Sequence, residues 1–271
     1  MARIELPESR LRIRRRRRRV RLIVLSVALV LLVLAGLVGL TYVPFLQLQT
    51  VEVSGAHTLS TSTIDAFVRE RLVGRYWWVF PKSNIFLYPR QQIQADLLAA
   101  YPMLASADAR FAPSTALQNL AVTLVERQPR ALWCKDAAGC YFMDENGVVY
   151  AEAPSFSSPV YVPYFGGSGR APWQFLTPQQ FVALSALVDA IARYIPAEQL
   201  ESVSVDDAGD VRMRFASGFT ILFVLDDAGG DIFERFSLAL TAEPFSTRSP
   251  AEFEYLDLRF GDKLYYKLKT K

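Results

Sequence analysis

The stretch "LQLQTVEVSGAHTLSTSTIDAFVRERLVGR", residues 46–75, changes its hydrophobic period partway along and so decides the fold class. Its first part, "LQTVEVSG", alternates apolar and polar residues as a half-buried strand does, and Gly55 ends it. From Ser62 onward the apolar residues recur at helical spacing, after Ser and Thr residues that suit a helix N-cap: Ile64, Phe67, Val68 and Leu72. A strand followed at once by a helix predicts an α+β fold.

Downstream of this stretch, Pro89 opens a second helix, and two strand candidates follow it in "SADARFAP" and "NLAVTLVERQPRALWC". Residues 46–130 therefore predict the order β-α-(loop)-α-β-β, with two helices on one face of a small three-stranded sheet. The dense aromatic run within the loop, from Trp77 to Tyr88, is interpreted as packing onto this first module, and a ligand platform is the alternative.

From residue 131 to 271 the pattern is mostly strands, with turn residues between them and two helices. One helix follows Thr177 as N-cap with Pro178 in its first position, and the other covers about 230–243. Residues 154–172 are rich in Pro, Gly and Ser and predict a loop. This part of the chain predicts a mixed, β-rich domain.

Upstream, residues 22–43 read "LIVLSVALVLLVLAGLVGLTYV", without a charge. A helix of this length spans about 33 Å, which is enough for a hydrocarbon core of about 30 Å. The apolar core is longer than that of a cleavable signal peptide, and no small-x-small cleavage site follows it. The segment therefore predicts an uncleaved transmembrane helix.

The basic charge of the protein lies in residues 1–21, a predicted cytoplasmic arm. This arm carries ten arginines and two acidic residues, Glu5 and Glu8, so its net charge is +8. Because the net charge of the whole chain is +3, the rest of the chain carries −5. Arginines beside a span stay in the cytoplasm, which predicts an inside N-terminus and an extracytoplasmic segment 45–271. The residues that set this orientation are Arg14, Arg15, Arg16, Arg17, Arg18, Arg19 and Arg21. Nucleic-acid contact by the arm is the weaker alternative, because the acidic body has no reason to seek phosphates.

The two cysteines lie close together in "LWCKDAAGCYF", where strand-like stretches flank a short turn. Cys134 and Cys140 are therefore candidates for a disulfide across a hairpin, with a free thiol pair or a metal half-site as alternatives. His57 is the single histidine of the chain, so the sequence holds no four-ligand zinc set, and we expect no cofactor.

No pattern of a known catalytic site occurs in the sequence. There is no G-x-S-x-G, no S-x-x-K with K-T-G, no H-E-x-x-H and no phosphate-binding glycine loop. We therefore expect a protein that is not an enzyme. The alternative is a membrane-anchored cell-wall hydrolase, or another envelope enzyme, with a concave pocket lined by convergent carboxylates.

Four motifs follow one another behind the basic arm and the single span: "VEVSGAHTLSTSTI" (51–64), "NLAVTLVERQPRALW" (119–133), "FMDENGVVY" (142–150) and "EYLDLRFGDKLYYK" (254–267). In this order they resemble the FtsQ/DivIB family of bacterial cell-division proteins. The resemblance covers nearly the whole chain. It implies a POTRA-like domain at 46–130, a C-terminal β domain at 131–271, and a place in the cytoplasmic membrane at the division septum. It also implies a divisome scaffold that binds FtsB/FtsL-type partners and, through the POTRA-like domain, other division proteins.

The last two strand candidates give this scaffold a physical means of binding. A terminal strand is often an edge strand, whose unpaired N–H and C=O groups can accept a partner's strand. Alternation predicts that Leu256, Leu258 and Phe260 face the core. The expected partner-binding residues are Tyr255, Asp257, Arg259, Phe260, Lys263, Leu264, Tyr265, Tyr266, Lys267 and Leu268. Edge lysines also deter promiscuous pairing, so a protected edge is the alternative.

Overall fold

The computed structural model describes residues 10–112, 118–136, 139–225 and 230–270. Within these ranges the chain is α+β, with five α-helices, of which the first is N-terminal and apolar, and a large β-rich domain, which confirms the predicted α+β class. Residues 1–9 of the predicted arm and residues 137–138 of the turn between the cysteines lie outside the described part. Two compact units divide the chain, 1–99 with 106–126 and 100–105 with 127–271.

The first helix, α1, covers Arg10–Leu40. Its part from Arg16 to Leu40 is long and apolar enough to cross a membrane, and none of that part's most apolar window is buried. A short 3₁₀ turn with Pro44 in its first position follows the helix. A single membrane-crossing helix is therefore compatible with the length and composition of α1.

The first unit continues with two helices and five strands. They are β1 (Thr50–Ser54), α2 (Thr61–Leu72), β2 (Arg75–Tyr76), β3 (Phe80–Pro81), α3 (Arg90–Ala100), β4 (Leu104–Phe111) and β5 (Asn119–Glu126). This is the predicted order, with a small β2–β3 hairpin inside the loop between the helices. The strand predicted from residue 119 ends at Glu126, shortly before Pro129, which has no N–H to donate to a sheet.

The three-stranded sheet of this unit has the order β1-β5-β4, with β1 parallel to β5. The apolar faces of α2 and α3 and the inner face of the sheet are fully buried. The helical core residues are Ile64, Val68, Ile93 and Leu97, and the strand residues are Leu104, Ala109, Leu120 and Val122. Helical periodicity and strand alternation thus produce one apolar core.

Glu126, at the end of β5, fastens the loop between β1 and α2. Its buried carboxylate accepts backbone hydrogen bonds from His57 (2.9 Å), Thr58 (2.9 and 3.0 Å) and Leu59 (3.1 Å). Burial alone would raise the pKa of Glu126, but these hydrogen bonds outweigh it and lower the pKa to about 2. The carboxylate therefore stays charged and serves as a fixed acceptor for three consecutive N–H groups.

Three side chains of the aromatic run in the loop are exposed, so the interpretation that the run packs onto the first module is wrong for them. Trp77 and Trp78 are 83% and 91% exposed at the tip of the β2–β3 hairpin, and Phe86 is 79% exposed. The two tryptophans occupy left-handed backbone conformations, with φ of 47° and 65°. Their position at the tip of a tight turn directs both indoles outward.

The second unit is built on one ten-stranded sheet. Its order is β10-β8-β7-β6-β9-β11-β12-β13-β14-β15. The strands are β6 (Ala131–Asp136), β7 (Gly139–Met143), β8 (Val148–Glu152), β9 (Pro163–Phe165), β10 (Trp173–Gln174), β11 (Leu200–Val205), β12 (Asp210–Phe215), β13 (Thr220–Val224), β14 (Phe253–Phe260) and β15 (Lys263–Leu268). The two predicted helices are α4 (Pro178–Tyr194) and α5 (Gly230–Thr241).

Strand β9 lies within the segment that the sequence predicted to be a loop. It pairs in parallel with both β6 and β11 and so joins the two halves of the sheet. Its three residues begin with Pro163 and are followed by two glycines, so they give no measurable alternation, and the composition of 154–172 predicted a loop instead. One apolar cluster, formed by residues of α4, α5 and the sheet, is the core of this unit.

Asp144 organises the β7–β8 turn of the second unit. One carboxylate oxygen accepts from the backbone N–H groups of Asn146 and Val148, both at 2.9 Å, and the other pairs with Arg127. The aspartate side chain is 4% exposed and that of the arginine 18%. This buried pair explains why "FMDENGVVY" carries an aspartate three residues before Gly147.

Candidate partner-binding edge

The C-terminal hairpin forms one end of the ten-stranded sheet. β14 pairs with β13 on one side and antiparallel with β15 on the other, and Gly261, with a φ of 60°, lies in the turn between them. β15 is the last strand in the sheet order and pairs only with β14 among the described residues. Six residues of strand, about 20 Å long, therefore present an edge.

The backbone pattern identifies which groups of this edge point away from the hairpin. The N–H of Lys269 donates to the carbonyl of Glu252 at 2.9 Å and so points toward β14. In an antiparallel ladder the direction alternates with every residue, and both bulges of this pair lie on the β14 side. The backbone N–H and C=O groups of Lys267 and Tyr265 therefore also point toward β14. The outward N–H and C=O groups belong to Leu264, Tyr266 and Leu268.

The side chains of β15 divide between two faces. The ring of Tyr266 makes edge-to-face contacts with the buried Phe245 and Phe253, at centroid distances of 5.5 and 5.8 Å. Leu268 also packs against the core, and Leu264 is 38% exposed. The apolar side thus fixes the strand in the sheet, while its outer backbone edge stays open.

Phe260 lies outside the core, contrary to the alternation drawn from the sequence. It is 53% exposed, and its ring contacts that of Tyr265 at 5.1 Å. The register of β14 against β15 shifts between Asp257 and Phe260, because a β-bulge adds a residue to β14 and reverses the facing of the residues after it. Leu256 and Leu258, before this shift, are buried as predicted. Phe260 and Tyr265 form an exposed aromatic pair beside the edge.

Asp257 and Arg259 interact with each other instead of standing free. The guanidinium of Arg259 donates to both oxygens of Asp257, at 2.9 and 2.7 Å, and also to Asp210 on β12. Burial alone would raise the pKa of Asp257, but the hydrogen bonds and charge of Arg259 hold it below its usual range. Asp257 is 5% exposed, which corrects its expected role as a contact residue. Its place is under Arg259, where the ion pair braces the hairpin against the sheet.

The lysines of the hairpin differ in their partners. Lys267 pairs with Glu254 on β14 at 2.6 Å, and this hydrogen bond raises the pKa of the lysine. The ammonium group of Lys269 donates to the carbonyls of Ser217 and Ala251. Lys263 makes no ion pair within the described ranges. Carboxylates of the chain itself thus neutralise Lys267 and Arg259, and Lys263 and Lys269 are the lysines beside the open backbone groups that make no ion pair among the described residues.

The other predicted site residues lie elsewhere. Cys134 and Cys140 are opposite each other on β6 and β7 and are joined by a disulfide, with 4.2 Å between their Cα atoms. In the sheet order these strands are far from β15. Arg16 to Arg19 and Arg21 are exposed along α1, whereas the side chains of Arg14 and Arg15 lie outside the described part.

A cleft of about 730 Å³ also occurs in the second unit, beside the disulfide. It is lined by the segment from Ala153 to Tyr161 and contains the carboxylates of Glu152 and Glu201. Glu201 is paired with Arg214 at 3.1 Å. Among the described residues, no group of three or more His, Cys, Asp or Glu side chains is arranged to hold a metal ion.

Sequence reasoning found the edge strand but missed the bulge and the brace from Arg259 to Asp210. A bulge leaves no mark in composition, and the brace joins residues separated by 49 positions. Neither protein-family models nor curated protein sequences give a match to this chain.

Proposed function

We propose that the chain is a non-enzymatic, single-pass scaffold of the bacterial divisome, similar to FtsQ/DivIB. In this proposal α1 crosses the cytoplasmic membrane with the arginine arm inside, and residues 45–271 lie outside at the septum. The first unit acts as a POTRA-like domain that contacts other division proteins. The second unit binds FtsB/FtsL-type partners and so links early and late division proteins.

The observation that carries the proposal is the open edge of β15. Its outward N–H and C=O groups belong to Leu264, Tyr266 and Leu268, and no hydrogen bond to them appears outside the hairpin in the described residues. A partner strand placed there would continue the sheet, with backbone hydrogen bonds supplying affinity. Tyr265, Phe260 and Lys263 lie beside that edge and would contact alternate side chains of the partner, which sets the register.

Other features support the same proposal from further along the chain. The motif glutamate Glu126 and the motif aspartate Asp144 each hold a loop through buried hydrogen bonds. Two of the four motifs that resemble the family thus have a structural reason in this chain. The first unit also has two helices packed on a three-stranded sheet, the arrangement that the resemblance implies.

The proposal is tested by binding of the full chain, in lipid nanodiscs, to the extracytoplasmic segment of an FtsB-type protein from the same organism. Leu264→Pro removes one outward N–H, and Leu264→Ala removes the same side chain but keeps the donor. Loss of the bond leaves a partner carbonyl unpaired and costs about 1–3 kcal/mol, so we expect about 5- to 150-fold weaker binding for the proline variant alone.

A thermal melt of both variants checks that the hairpin remains folded, since proline is tolerated on the outer side of an edge strand. Equal affinity of the folded proline and alanine variants would contradict strand addition at β15. Absence of binding by the unchanged chain would contradict the assigned partner.

A further inference from the structure

The β2–β3 hairpin of the first unit carries two tryptophans in a position that stability alone does not explain. The N–H of Val79 donates to the carbonyl of Tyr76 at 3.0 Å, which closes a turn with Trp77 and Trp78 at its centre. Both have positive φ, the type I′ geometry that favours Asn and Gly. Two large side chains in this strained conformation, both exposed, point to a function at the tip.

The hairpin is tied to the C-terminal end of α1. The hydroxyl of Tyr42 donates to the carbonyl of Val79, next to the tryptophans. The guanidinium of Arg75 lies over the Tyr42 ring, 5.5 Å from its centroid. Tyr42 belongs to the last residues of the apolar run 22–43, where an interfacial tyrosine is expected if α1 spans a membrane.

A second tie joins the same helix end to the segment that carries Phe86. The carbonyl of Thr41 accepts from the side-chain amides of Gln47 (2.6 Å) and Asn84 (3.1 Å). Asn84 is 2% exposed, and its own oxygen accepts from the N–H of Phe86 at 3.0 Å. Asn84 therefore links the backbone of Phe86 to Thr41, the residue that follows α1, as Tyr42 links the hairpin with the two tryptophans to the same helix end.

The segment that carries these aromatic side chains has positive charges only. Between residues 73 and 89 the only charged residues are Arg75 and Lys82. Neither makes an ion pair in the part of the chain that the structure describes. The acidic neighbours Glu70 and Asp96 are paired with Arg71. Exposed indoles bordered by unpaired cations match the headgroup region, where the indole prefers the interface and cations meet phosphates.

We propose that Trp77, Trp78 and Phe86 insert into the outer headgroup region of the bilayer that α1 crosses, and so hold the first unit against the membrane surface. This inference rests on the membrane-spanning role of α1 in the proposed function, and it is independent of the binding of division partners. The lipid bilayer is the occupant because the hairpin is hydrogen-bonded to Tyr42, two residues after the end of α1.

The test uses tryptophan fluorescence of the full chain in nanodiscs with and without bromine on the lipid acyl chains. The chain has four tryptophans, and Trp133 and Trp173 lie in the second unit. The double variant Trp77→Asn, Trp78→Gly removes both indoles and supplies the residues that a type I′ turn prefers, so its hairpin stays folded. We expect bromine to quench the unchanged protein and the double variant to lose most of that quenching. Acrylamide in the water should reach the hairpin indoles poorly.

Leu31→Trp in the double-variant background reports separately on the span, because this position lies in the middle of the apolar run. Quenching of Leu31→Trp, but not of Trp77 and Trp78, would overturn the insertion and leave the span intact. No quenching of Leu31→Trp would overturn the span and the insertion with it. In a third outcome, acrylamide quenches the hairpin indoles in nanodiscs, and only an added protein partner shields them. This result would overturn the lipid assignment in favour of a protein-binding surface.

Discussion

Replacement of Glu126 by glutamine should weaken the hydrogen bonds that hold the loop between β1 and α2 and so destabilise the first unit. The carboxylate accepts from three consecutive N–H groups, those of His57, Thr58 and Leu59. Hydrogen bonds to a charged group contribute about 1.5–3 kcal/mol each. Glutamine keeps one acceptor but directs an NH₂ group at the remaining donors, so we expect a loss of about 2–4 kcal/mol at neutral pH.

The pH dependence gives this prediction its sign. The pKa of Glu126 is lowered to about 2 in the folded chain, below the ordinary value of 4.5. A lowered pKa means that the carboxylate contributes its full stabilisation above pH 4.5 and loses it as the pH falls toward 2. The difference between wild type and Glu126→Gln should therefore be largest at neutral pH and shrink in acid.

The assay is thermal or urea unfolding of the detergent-solubilised chain, followed by tryptophan emission. Trp133, which is 3% exposed, reports on the second unit, whereas Trp77 and Trp78 are exposed already and change little on unfolding. The first unit is therefore followed by hydrogen exchange of the backbone amides of α2 and β5 in the same samples. Only the first-unit transition should move. Equal stability of the two proteins at neutral pH, or a difference that persists unchanged down to pH 2, would refute the role given to the carboxylate.

Two further substitutions test the loops behind the family motifs. Gly55→Ala should destabilise the first unit by more than about 1–2 kcal/mol, because the φ of Gly55 is 78° and an added Cβ would overlap the carbonyl of Leu124. The control Gly74→Ala, with a positive φ but open space around it, should cost less in the same measurement. Asp144→Ala should destabilise the second unit by about 3–5 kcal/mol, since it removes the carboxylate that pairs with the mostly buried Arg127 and accepts from the N–H groups of Asn146 and Val148. A second-unit unfolding midpoint within error of wild type would show that this pair contributes nothing.

Periodicity was sufficient to predict the secondary structure wherever one face of an element is buried. The α2 residues Ile64, Val68 and Leu72 and the helix after Thr177 lie where their spacing indicated. Strand β9 was missed because both its neighbours are distant in sequence and its three residues show no alternation. The strands that pair with β9, β6 and β11, cannot be recognised from the residues near β9 in the sequence.

At the candidate edge, too, some features could be predicted from the sequence and others could not. Alternation predicted the buried Leu256 and Leu258, and the terminal position of the last strand predicted its place at the edge of the sheet. Alternation failed at Phe260, because a bulge reverses facing without a signature in the residues. Arg259 is also bonded to Asp210, which is 49 positions away in the sequence and which only the folded sheet brings near. Long-range contacts therefore decide which side chains of the edge are available to a partner.

Amide hydrogen exchange at β15, with and without the FtsB-type segment, tests the central claim most directly. Tyr265 and Lys267 point toward β14 and should be protected in the free protein, whereas Leu264, Tyr266 and Leu268 should exchange fast. Added partner should protect the three outward amides and leave the inward ones unchanged, the alternating pattern of an added strand. Partner binding with the amides of Leu264, Tyr266 and Leu268 still in fast exchange would contradict the account.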